Sequence, residues 1–437
     1  MTEEAYSRSL VTKRCGGEHF DVPGTGYSFS NVLAEEREAS KLNRPDDESS
    51  ALLRLSIADP TWKMPKPAML AALGYYESDP ESTRYKDNNG IPGTHDKIAE
   101  YLNVAHSGSG VIFDARWVQH SPGSIKRLLA EYLPSLFFDR DTHLIFPTPG
   151  YGVIKDPINR RGAKVTDVPL VFNGVRWTID YERMNAALEE TKTTRNKAVL
   201  YLNMPHNPTG ATVNRAESLE LVQWAKNNQV IVIVDEAYSH LRFDDSESML
   251  NIPGWQNCCI VLQSVSKGWS ATGLRFGYAV ANPTLIKALR KVTDVKDSGL
   301  FGPSIAAGLW CLANTAYADE TRKAYLALHN DLLSGLQTAG FDSGLPKAGL
   351  CQFTRAPRAA NGNRFASAIE CAQYFRKELR ISLMSYDLEG EQGPQGPKDP
   401  WLRWAVTFAP IPECGLPDQK SVIAEAVRRL QSVQFEF

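Results

Sequence analysis

The chain has 437 residues, of which 43% are hydrophobic and 22% are charged, and its formal net charge is −2. This length and composition are typical of globular proteins with two or three domains, which can bury a large core without disulfides or metals. The near-neutral charge gives no indication of a nucleic acid or an acidic membrane as a partner. The seven cysteines contain no C-x-x-C pair, which favours reduced thiols. No metal site is predicted.

The N-terminal part of the chain is polar and irregular up to about residue 50, and we expect it to be an arm rather than a domain. Its first twenty residues lack the continuous apolar stretch of a secretory signal. No apolar run in the sequence approaches the length of a membrane span. We therefore expect a cytoplasmic protein without a membrane partner.

From Leu52 onward, short apolar runs alternate with segments of helical periodicity. The strand candidates are THLIFPTP, NKAVLYLNMP, QVIVIVDEAY, CIVLQS and RFGYAVAN, and the helical segments between them include RAESLELVQWAKNNQ and PTLIKALRKVTDV. Several strands are almost continuous in Val, Ile and Leu, as is typical of parallel strands that are buried on both faces. The alternation predicts an α/β fold whose large domain has a mostly parallel sheet flanked by helices.

After Gly299 the pattern changes to a long helical stretch, SIAAGLWCLANTAYADETRKAYLALHNDLLSGLQTAG, which is predicted to bridge into a smaller α/β domain. The segment 389–400, EGEQGPQGPKDP, is predicted to be a surface loop because it is rich in Gly, Pro and charge. We expect three parts: an N-terminal arm with part of the small domain (1–64), the large domain that carries the parallel sheet (65–305), and the bridging helix with the small C-terminal domain (306–437).

Polar residues follow the strand-like run WVQH and the strand candidates THLIFPTP and NKAVLYLNMP, at strand ends where ligand groups gather in open α/β sheets. The turn Pro122–Gly123–Ser124 precedes a helix, and a helix N-terminus with a hydroxyl suits a phosphate, although a serine there often serves only as a cap. Tyr151 could stack on a flat ring or pack in its turn. Asn207 could bind a ligand or simply begin the Asn-Pro turn.

The run VIVIVDEAY places Asp235 and Glu236 at the end of a buried strand, shortly before Tyr238. A carboxylate at such a depth is costly unless it meets a cation, and a protonated ring nitrogen would be a suitable partner. An N-cap for the next helix is the competing interpretation.

The stretch SVSKGWSATGLRFGY follows the next buried strand and combines two hydroxyls, an amine and a guanidinium. Ser264, Ser266 and Arg275 together could hold a dianionic phosphate. Lys267 would be desolvated at this position, and a desolvated lysine can form a Schiff base with a carbonyl cofactor. Because Lys267 lies among these candidate phosphate ligands, we favour the catalytic interpretation of Lys267 over that of a solvated surface lysine.

Taken in order along the chain, these motifs resemble those of the fold-type I pyridoxal-phosphate-dependent aminotransferases of class I/II. The motifs HNPTG, VDEAY and SVSKGWSATGLRFGY carry the resemblance, which extends from about Leu52 to the C-terminus. It implies an aspartate-aminotransferase-like α/β fold, pyridoxal 5′-phosphate as the cofactor, and transamination of an L-amino acid to a 2-oxo acid.

The resemblance also implies a role for each residue. Lys267 carries the cofactor as a Schiff base and moves the substrate's α-proton, while Asp235 pairs with the pyridine nitrogen. The other implied cofactor contacts are Asn207 and Tyr238 at the phenolic oxygen, Tyr151 on the ring face, and Gly123, Ser124, Ser264, Ser266 and Arg275 at the phosphate.

Two further segments resemble parts of the family that reach the substrate or a second subunit. RYKDNNG matches the segment from which a tyrosine contacts the neighbouring subunit's phosphate, which nominates Tyr85 and implies a homodimer with the active site at its interface. WLRWAVTF resembles the strand that carries the arginine for the substrate α-carboxylate, which nominates Arg403. In VKDSGLF, Lys296 and Asp297 could touch the partner's substrate or form an ordinary charged pair.

Within the family, LSIADPTWKMPKPAM, STRYKDNNGIPG and VKDSGLF are most similar to the LL-diaminopimelate aminotransferase branch. Two departures affect the substrate side. Ala58 stands where the family usually has a glycine. The resemblance implies that the backbone at this position and the side chain of Asn207 border the substrate carboxylate. The loop 389–400 is longer than the family's usual segment before the carboxylate arginine.

These departures leave a second activity open, because the cofactor motifs specify only the first deprotonation. The alternative is elimination, replacement or cyclisation at Cβ or Cγ of an amino acid. A third alternative is a relative that binds the cofactor without catalysis. The intact Lys267 and Asp235 oppose it, because a binding module needs no reactive lysine.

Overall fold

The computed structural model describes residues 29–191, 197–389 and 398–437. The strands, numbered in chain order, are β1 (Leu53–Arg54), β2 (Val118–Ser121), β3 (Thr142–Thr148), β4 (Lys164–Pro169), β5 (Val171–Phe172), β6 (Trp177–Thr178), β7 (Lys197–Asn203), β8 (Ile231–Asp235), β9 (Cys259–Ser264), β10 (Gly277–Val280), β11 (Cys351–Arg355), β12 (Ala359–Ala360), β13 (Asn363–Arg364), β14 (Ile381–Ser382), β15 (Met384–Leu388), β16 (Asp399–Ala405) and β17 (Phe435–Glu436).

The α-helices of the described ranges are α1 (Phe29–Ser40), α2 (Lys66–Ser78), α3 (Thr94–Ala105), α4 (Ser124–Arg127), α5 (Leu133–Phe137), α6 (Lys155–Asn159), α7 (Tyr181–Thr191), α8 (Arg215–Asn227), α9 (Pro283–Lys296), α10 (Gly302–Ala313), α11 (Ala316–Thr338), α12 (Ala368–Glu378) and α13 (Gln419–Gln431). A π-helical turn at Leu128–Tyr132 joins α4 to α5. Asn214 begins α8 with a capping box, since its side chain and that of Glu217 each accept a hydrogen bond from the other's backbone amide.

A seven-stranded sheet in the order β2-β10-β9-β8-β7-β3-β4 forms the centre of the fold. Its strands run parallel except β10, which is antiparallel to both β2 and β9. All residues of β9, and all but the first of β7, are buried, because apolar clusters cover both faces of the sheet. This sheet confirms the predicted α/β fold, and each of the five strand candidates contains one of its strands.

A second apolar core surrounds the antiparallel sheet β11-β16-β15 and the helices α11, α12 and α13. The strand β1 joins this region by parallel pairing with β14, although more than three hundred residues separate the two in the sequence. This second core combines N- and C-terminal residues, and the division into a large and a small domain stays a prediction. The boundaries at residues 65 and 305 stay predictions.

Two features of the sequence lie partly or wholly outside the described residues. They are the start of the N-terminal arm, residues 1–28, and residues 390–397 of the Gly- and Pro-rich loop. Within the described ranges, no helix combines the length and the apolar character that crossing a membrane requires.

Candidate active site

A cavity of about 540 Å³ lies at the carboxyl ends of the parallel strands β7 and β8. All the residues that the resemblance assigns to the cofactor or the substrate line it except Gly123 and Tyr85, and the alternative contacts Lys296 and Asp297 do not line it either. The lining residues are Ile57, Ala58, Asp59, Ser124, Ile125, Lys126, Tyr151, Asn203, Asn207, Asp235, Ala237, Tyr238, Ser264, Ser266, Lys267, Thr272, Gly273, Arg275 and Arg403. Segments from both ends of the chain therefore meet the sheet here.

Asp235 is the last residue of β8, and its carboxylate is buried beneath the cavity. The backbone amide of Ala237 donates to its Oδ1 over 3.0 Å, and the hydroxyl of Tyr201 donates to its Oδ2 over 2.9 Å. Burial raises the pKa of the Asp235 carboxyl to about 6, and these two hydrogen bonds oppose the rise. A cationic ring nitrogen placed in the cavity would compensate for the desolvation of this anion, so Asp235 fits a pyridine cofactor.

Lys267 follows β9 and presents its amine to the same cavity. Its Nζ donates a hydrogen bond over 2.7 Å to the backbone carbonyl oxygen of Ala58. Burial lowers the pKa of the Lys267 amine to about 8, because desolvation penalises the ammonium form. A larger fraction of this amine is therefore neutral near pH 7 than for a solvated lysine, and the neutral amine is the nucleophile that an aldehyde requires.

A group of hydroxyls and one guanidinium lies beside Lys267. The Oγ atoms of Ser124 and Ser266 are 3.5 Å apart, and the backbone amide of Ser266 donates to Ser264 Oγ over 3.3 Å. Arg275 donates over 2.8 Å to the carbonyl oxygens of Thr272 and Gly123, which fixes its charged fork next to the serines. This donor set suits a phosphate dianion.

Gly123 contributes to this cradle through its backbone rather than by lining the cavity. Its carbonyl oxygen accepts the hydrogen bond from Arg275, and a Cβ at this position would stand 2.3 Å from Arg127 Cβ. Ser124 and Arg275 both have left-handed backbone conformations, with φ of 61° and 60°. Such conformations are uncommon for residues other than glycine.

Arg403 lies on β16, the central strand of the small antiparallel sheet, where it pairs with Phe353 on one side and Met384 on the other. Its guanidinium donates to Asn207 Oδ1 over 3.0 Å and to the carbonyl oxygen of Ser56. The side chain is buried and lines the cavity. Held in this way, the guanidinium can present a planar pair of donors to a carboxylate.

Two tyrosines that were predicted to contact the cofactor also line the cavity. Tyr238 is buried, and burial raises the pKa of its phenol well above the usual value, so that the hydroxyl stays protonated and can donate. Tyr151 directly follows the turn at the end of β3 and is partly buried. Its position at the cavity wall is compatible with stacking on a ring.

The segments predicted to reach a second subunit lie apart from the cavity. Tyr85 is 91% exposed in the loop next to Gly299, whose amide donates to Asn88 Oδ1 over 2.7 Å. Asp297 accepts a hydrogen bond from Tyr132 and forms a 2.8 Å ion pair with Arg127. Both contacts are made with residues of the same chain, so they favour the interpretation of Asp297 as one half of an ordinary charged pair.

Some residues of the cavity were not predicted as site residues. Asp59 and Lys126 are exposed charged residues at its wall, one residue after Ala58 and two residues after Ser124. Their position in the sequence, close to predicted site residues, is the feature from which they could have been predicted. Asn203 accepts a hydrogen bond from the amide of Asn207 and donates one to the carbonyl oxygen of Asp235, so it ties two strand ends together.

Residues 51–403 match the family described as aminotransferase class I and II. The chain belongs to this family. It is a pyridoxal-phosphate-dependent enzyme that transaminates an amino acid, and the predictions of family, fold, cofactor and activity are confirmed. The chain is 30% identical to the LL-diaminopimelate aminotransferase of Methanocaldococcus jannaschii, over 99% of this chain and 100% of the relative. It is 28% identical to that of Methanococcus maripaludis with the same coverage.

Solved structures show the same fold. Substrate-bound BacF from Bacillus subtilis superposes with a TM-score of 0.78 and is 22% identical, covering 96% of this chain and 98% of that chain. The aspartate aminotransferase of Rhizobium meliloti has a TM-score of 0.76 and is 19% identical, also covering 96% and 98%. This aminotransferase therefore has the aspartate-aminotransferase-like architecture that was expected from its sequence.

Proposed function

We propose that the cavity is the active site, in which the enzyme converts an L-amino acid to a 2-oxo acid. One observation carries this proposal: a buried carboxylate, Asp235, and a desolvated amine, Lys267, line one cavity beside a cradle of hydroxyls and a guanidinium. Pyridoxal phosphate requires an anion for its ring nitrogen, an amine for its aldehyde and donors for its phosphate.

In this proposal, three side chains hold and tune the ring. Pyridoxal phosphate, when bound, supplies the electron sink for the pair released as the substrate's Cα–H bond breaks. Asp235 keeps the ring nitrogen protonated, because an adjacent anion in a buried site favours the cationic form of its partner. The phenol of Tyr238 and the amide nitrogen of Asn207 donate to the ring's phenolic oxygen, since Asn207 Oδ1 already accepts from Arg403.

Lys267 moves the proton. The lowered pKa of about 8 gives its amine an appreciable neutral fraction near pH 7, so the amine would accept the substrate's α-proton and hold it for return to the product. Arg403 binds the α-carboxylate through its planar donors and thereby fixes the direction of the Cα–H bond. Without the cofactor, the amine of Lys267 donates to the carbonyl oxygen of Ala58, which holds it at the cavity.

The charges at the cavity wall support a substrate with a second ionisable end. Asp59 and Lys126 place one carboxylate and one ammonium at the wall, and the negative charge of Asp59 raises the pKa of the Lys267 amine against the effect of burial. Both side chains are exposed, so they can meet the second ionisable end of a ligand. Because the relatives are LL-diaminopimelate aminotransferases, we propose LL-diaminopimelate as the first substrate to test.

A single-turnover experiment tests transamination at this site. We expect the enzyme loaded with pyridoxal phosphate to convert one equivalent of LL-diaminopimelate to the 2-oxo acid, and the cofactor to end as pyridoxamine phosphate. The measurements are the absorption spectrum of the bound cofactor and mass spectrometry of the products. Glutamate and aspartate serve as comparison substrates that have a distal carboxylate and no distal amine.

The second candidate activity is elimination, replacement or cyclisation, and Ala58 favours testing it. The backbone carbonyl of Ala58 accepts the hydrogen bond from Lys267, which a glycine at this position could also do. Its methyl group, which glycine lacks, adds volume beside the substrate. Release of ammonia or of a leaving group, with the cofactor recovered as pyridoxal phosphate, would contradict the transamination assigned to this cavity. The Ala58→Gly variant shows whether the methyl group determines the outcome.

We also propose that the enzyme is a homodimer whose second subunit completes the site. Four exposed apolar or aromatic side chains of α2, namely Met69, Leu70, Leu73 and Tyr76, share one helix face. Phe301, 62% exposed, lies at the start of α10, which packs against α2. A face of this kind is typical of a subunit interface, and the exposed Tyr85 belongs to the neighbouring loop.

Mixed dimers test the contribution of Tyr85. Tyr85→Phe is expected to weaken cofactor binding, and Lys267→Ala to abolish activity. In a dimer with one subunit of each kind, the intact Lys267 of one chain is completed by the intact Tyr85 of the other. Activity should therefore rise above the average of the two parents after the two variants are unfolded and refolded together. Activity equal to the parental average, or a monomer by sedimentation, would contradict the shared site.

A cytoplasmic location stays a prediction.

A further inference from the structure

Tyr201 is a buried residue of β7 whose hydroxyl has a distinct acceptor. It donates over 2.9 Å to Oδ2 of Asp235, at the end of the neighbouring strand β8. The register pairs Tyr201 with Ile233 and Asn203 with Asp235, which places Tyr201 and Asp235 on the same face of the sheet. The ring of Tyr201 stacks on Phe146 with a centroid distance of 5.6 Å and an interplanar angle of 8°.

We propose that Tyr201 is a positioning residue that holds the Asp235 carboxylate ionised and turned toward the cofactor's ring nitrogen. The proton between carboxylate and ring then stays on the nitrogen, where it strengthens the electron sink. This inference rests on the proposed function of the cavity. Tyr201 itself does not line the cavity, so its effect on the cofactor passes through Asp235.

Each carboxylate oxygen of Asp235 accepts one hydrogen bond from the chain. Ala237 N serves Oδ1 and Tyr201 serves Oδ2. Two bonds of known direction fix the plane of the carboxylate, so that it can present a lone pair to the cavity. Because burial raises the pKa of Asp235 to about 6, a proton shared between this carboxylate and a pyridine nitrogen can reside on either group. The Tyr201 bond lowers the proton affinity of the carboxylate and so favours the nitrogen.

The hydroxyl of Tyr201 is a constant donor. Burial first, and the charge of Asp235 second, raise the pKa of its phenol well above the usual value. It therefore stays protonated throughout the range in which the enzyme can work. A phenylalanine would preserve the stacking on Phe146 and would remove only the donor, which makes Tyr201→Phe a nearly isosteric test.

The decisive experiment measures the affinity of the cofactor-free protein for two ligands. One is pyridoxal phosphate, and the other is its analogue in which a carbon replaces the ring nitrogen. We expect Tyr201→Phe to weaken pyridoxal phosphate binding about tenfold, the effect of losing one hydrogen bond to a charged group. Binding of the carbon analogue should change by less than about twofold, because the coupling requires the nitrogen. Equal losses for both ligands would overturn the proposal.

A second readout does not depend on the cofactor. Carbon-13 NMR of aspartate carboxyl groups in the cofactor-free protein should give a higher pKa for Asp235 in Tyr201→Phe than in the wild type. Tyr278→Phe is the matched control, because it removes another buried hydroxyl whose hydrogen bond, 3.0 Å long, goes to Gln263. An unchanged pKa of Asp235 in Tyr201→Phe would also overturn the inference. If the wild type bound neither ligand, the proposed function itself would fail.

Discussion

Replacing Lys267 with alanine is expected to lower turnover by about 10⁴-fold and to abolish covalent attachment of the cofactor. The size follows from losing a positioned acid–base group together with the amine that anchors the cofactor. The measurements are single-turnover rates and the visible spectrum, followed by borohydride reduction and mass spectrometry of the modified peptide.

Lys126→Ala is the matched control, because Lys126 also lines the cavity but is exposed at its wall. The control should keep the covalent label on Lys267 and the spectrum of the bound cofactor, whereas its affinity for the substrate can change. A Lys267→Ala protein that retains a covalently attached cofactor, or that turns over at the wild-type rate, would refute the assignment of the amine.

Asp235→Asn is expected to reduce turnover about 10³-fold, with a smaller effect on the binding of the substrate. The amide keeps the shape of the carboxylate but cannot favour a cationic ring nitrogen, and breaking a buried charge pair costs about 3–5 kcal/mol. Turnover and the Michaelis constant, measured at saturating cofactor, separate the electronic effect from weak loading.

Glu236→Gln provides the comparison for Asp235→Asn, because it removes the neighbouring buried carboxylate. Glu236 accepts hydrogen bonds from Ser248, Gln263 and the amide of Met249, and it does not line the cavity. We expect the Glu236→Gln substitution to lower the thermal stability of the protein, while the folded fraction binds the cofactor as the wild type does. Equal catalytic losses in both variants would assign Asp235 a structural role only.

The fold could be predicted largely from the sequence, because local patterns determine its strands and helices. The run CIVLQS is a strand over Cys259–Ser264, and the helical segment that starts at Pro283 is α9. The antiparallel direction of β10 was not predicted, since strand direction depends on how the connection returns to the sheet. The long helix expected after Gly299 is broken between α10 and α11. Asn314, at the break, donates to the carbonyl oxygen of Trp310 and accepts from Trp269 Nε1.

Site residues that follow strands were visible in the sequence, whereas contacts between strands were not. Lys267 and Asp235 stand at the ends of apolar runs, where a charge is conspicuous. Tyr201 lies inside an apolar run, where an aromatic residue is ordinary, and its role depends on the register of β7 against β8. The ion pair of Asp297 with Arg127 is likewise a contact between residues far apart in sequence.

The bond between Arg403 and the carbonyl oxygen of Ser56 joins residues that are 347 positions apart. At typical rates of translation, roughly 20 to 70 s pass between the synthesis of these two residues. During that interval the nascent chain can already contain Lys267 and Asp235, while the pocket for the substrate carboxylate does not yet exist. A product truncated before β16 would thus contain Lys267 but lack Arg403, the residue that we propose for binding the substrate's α-carboxylate.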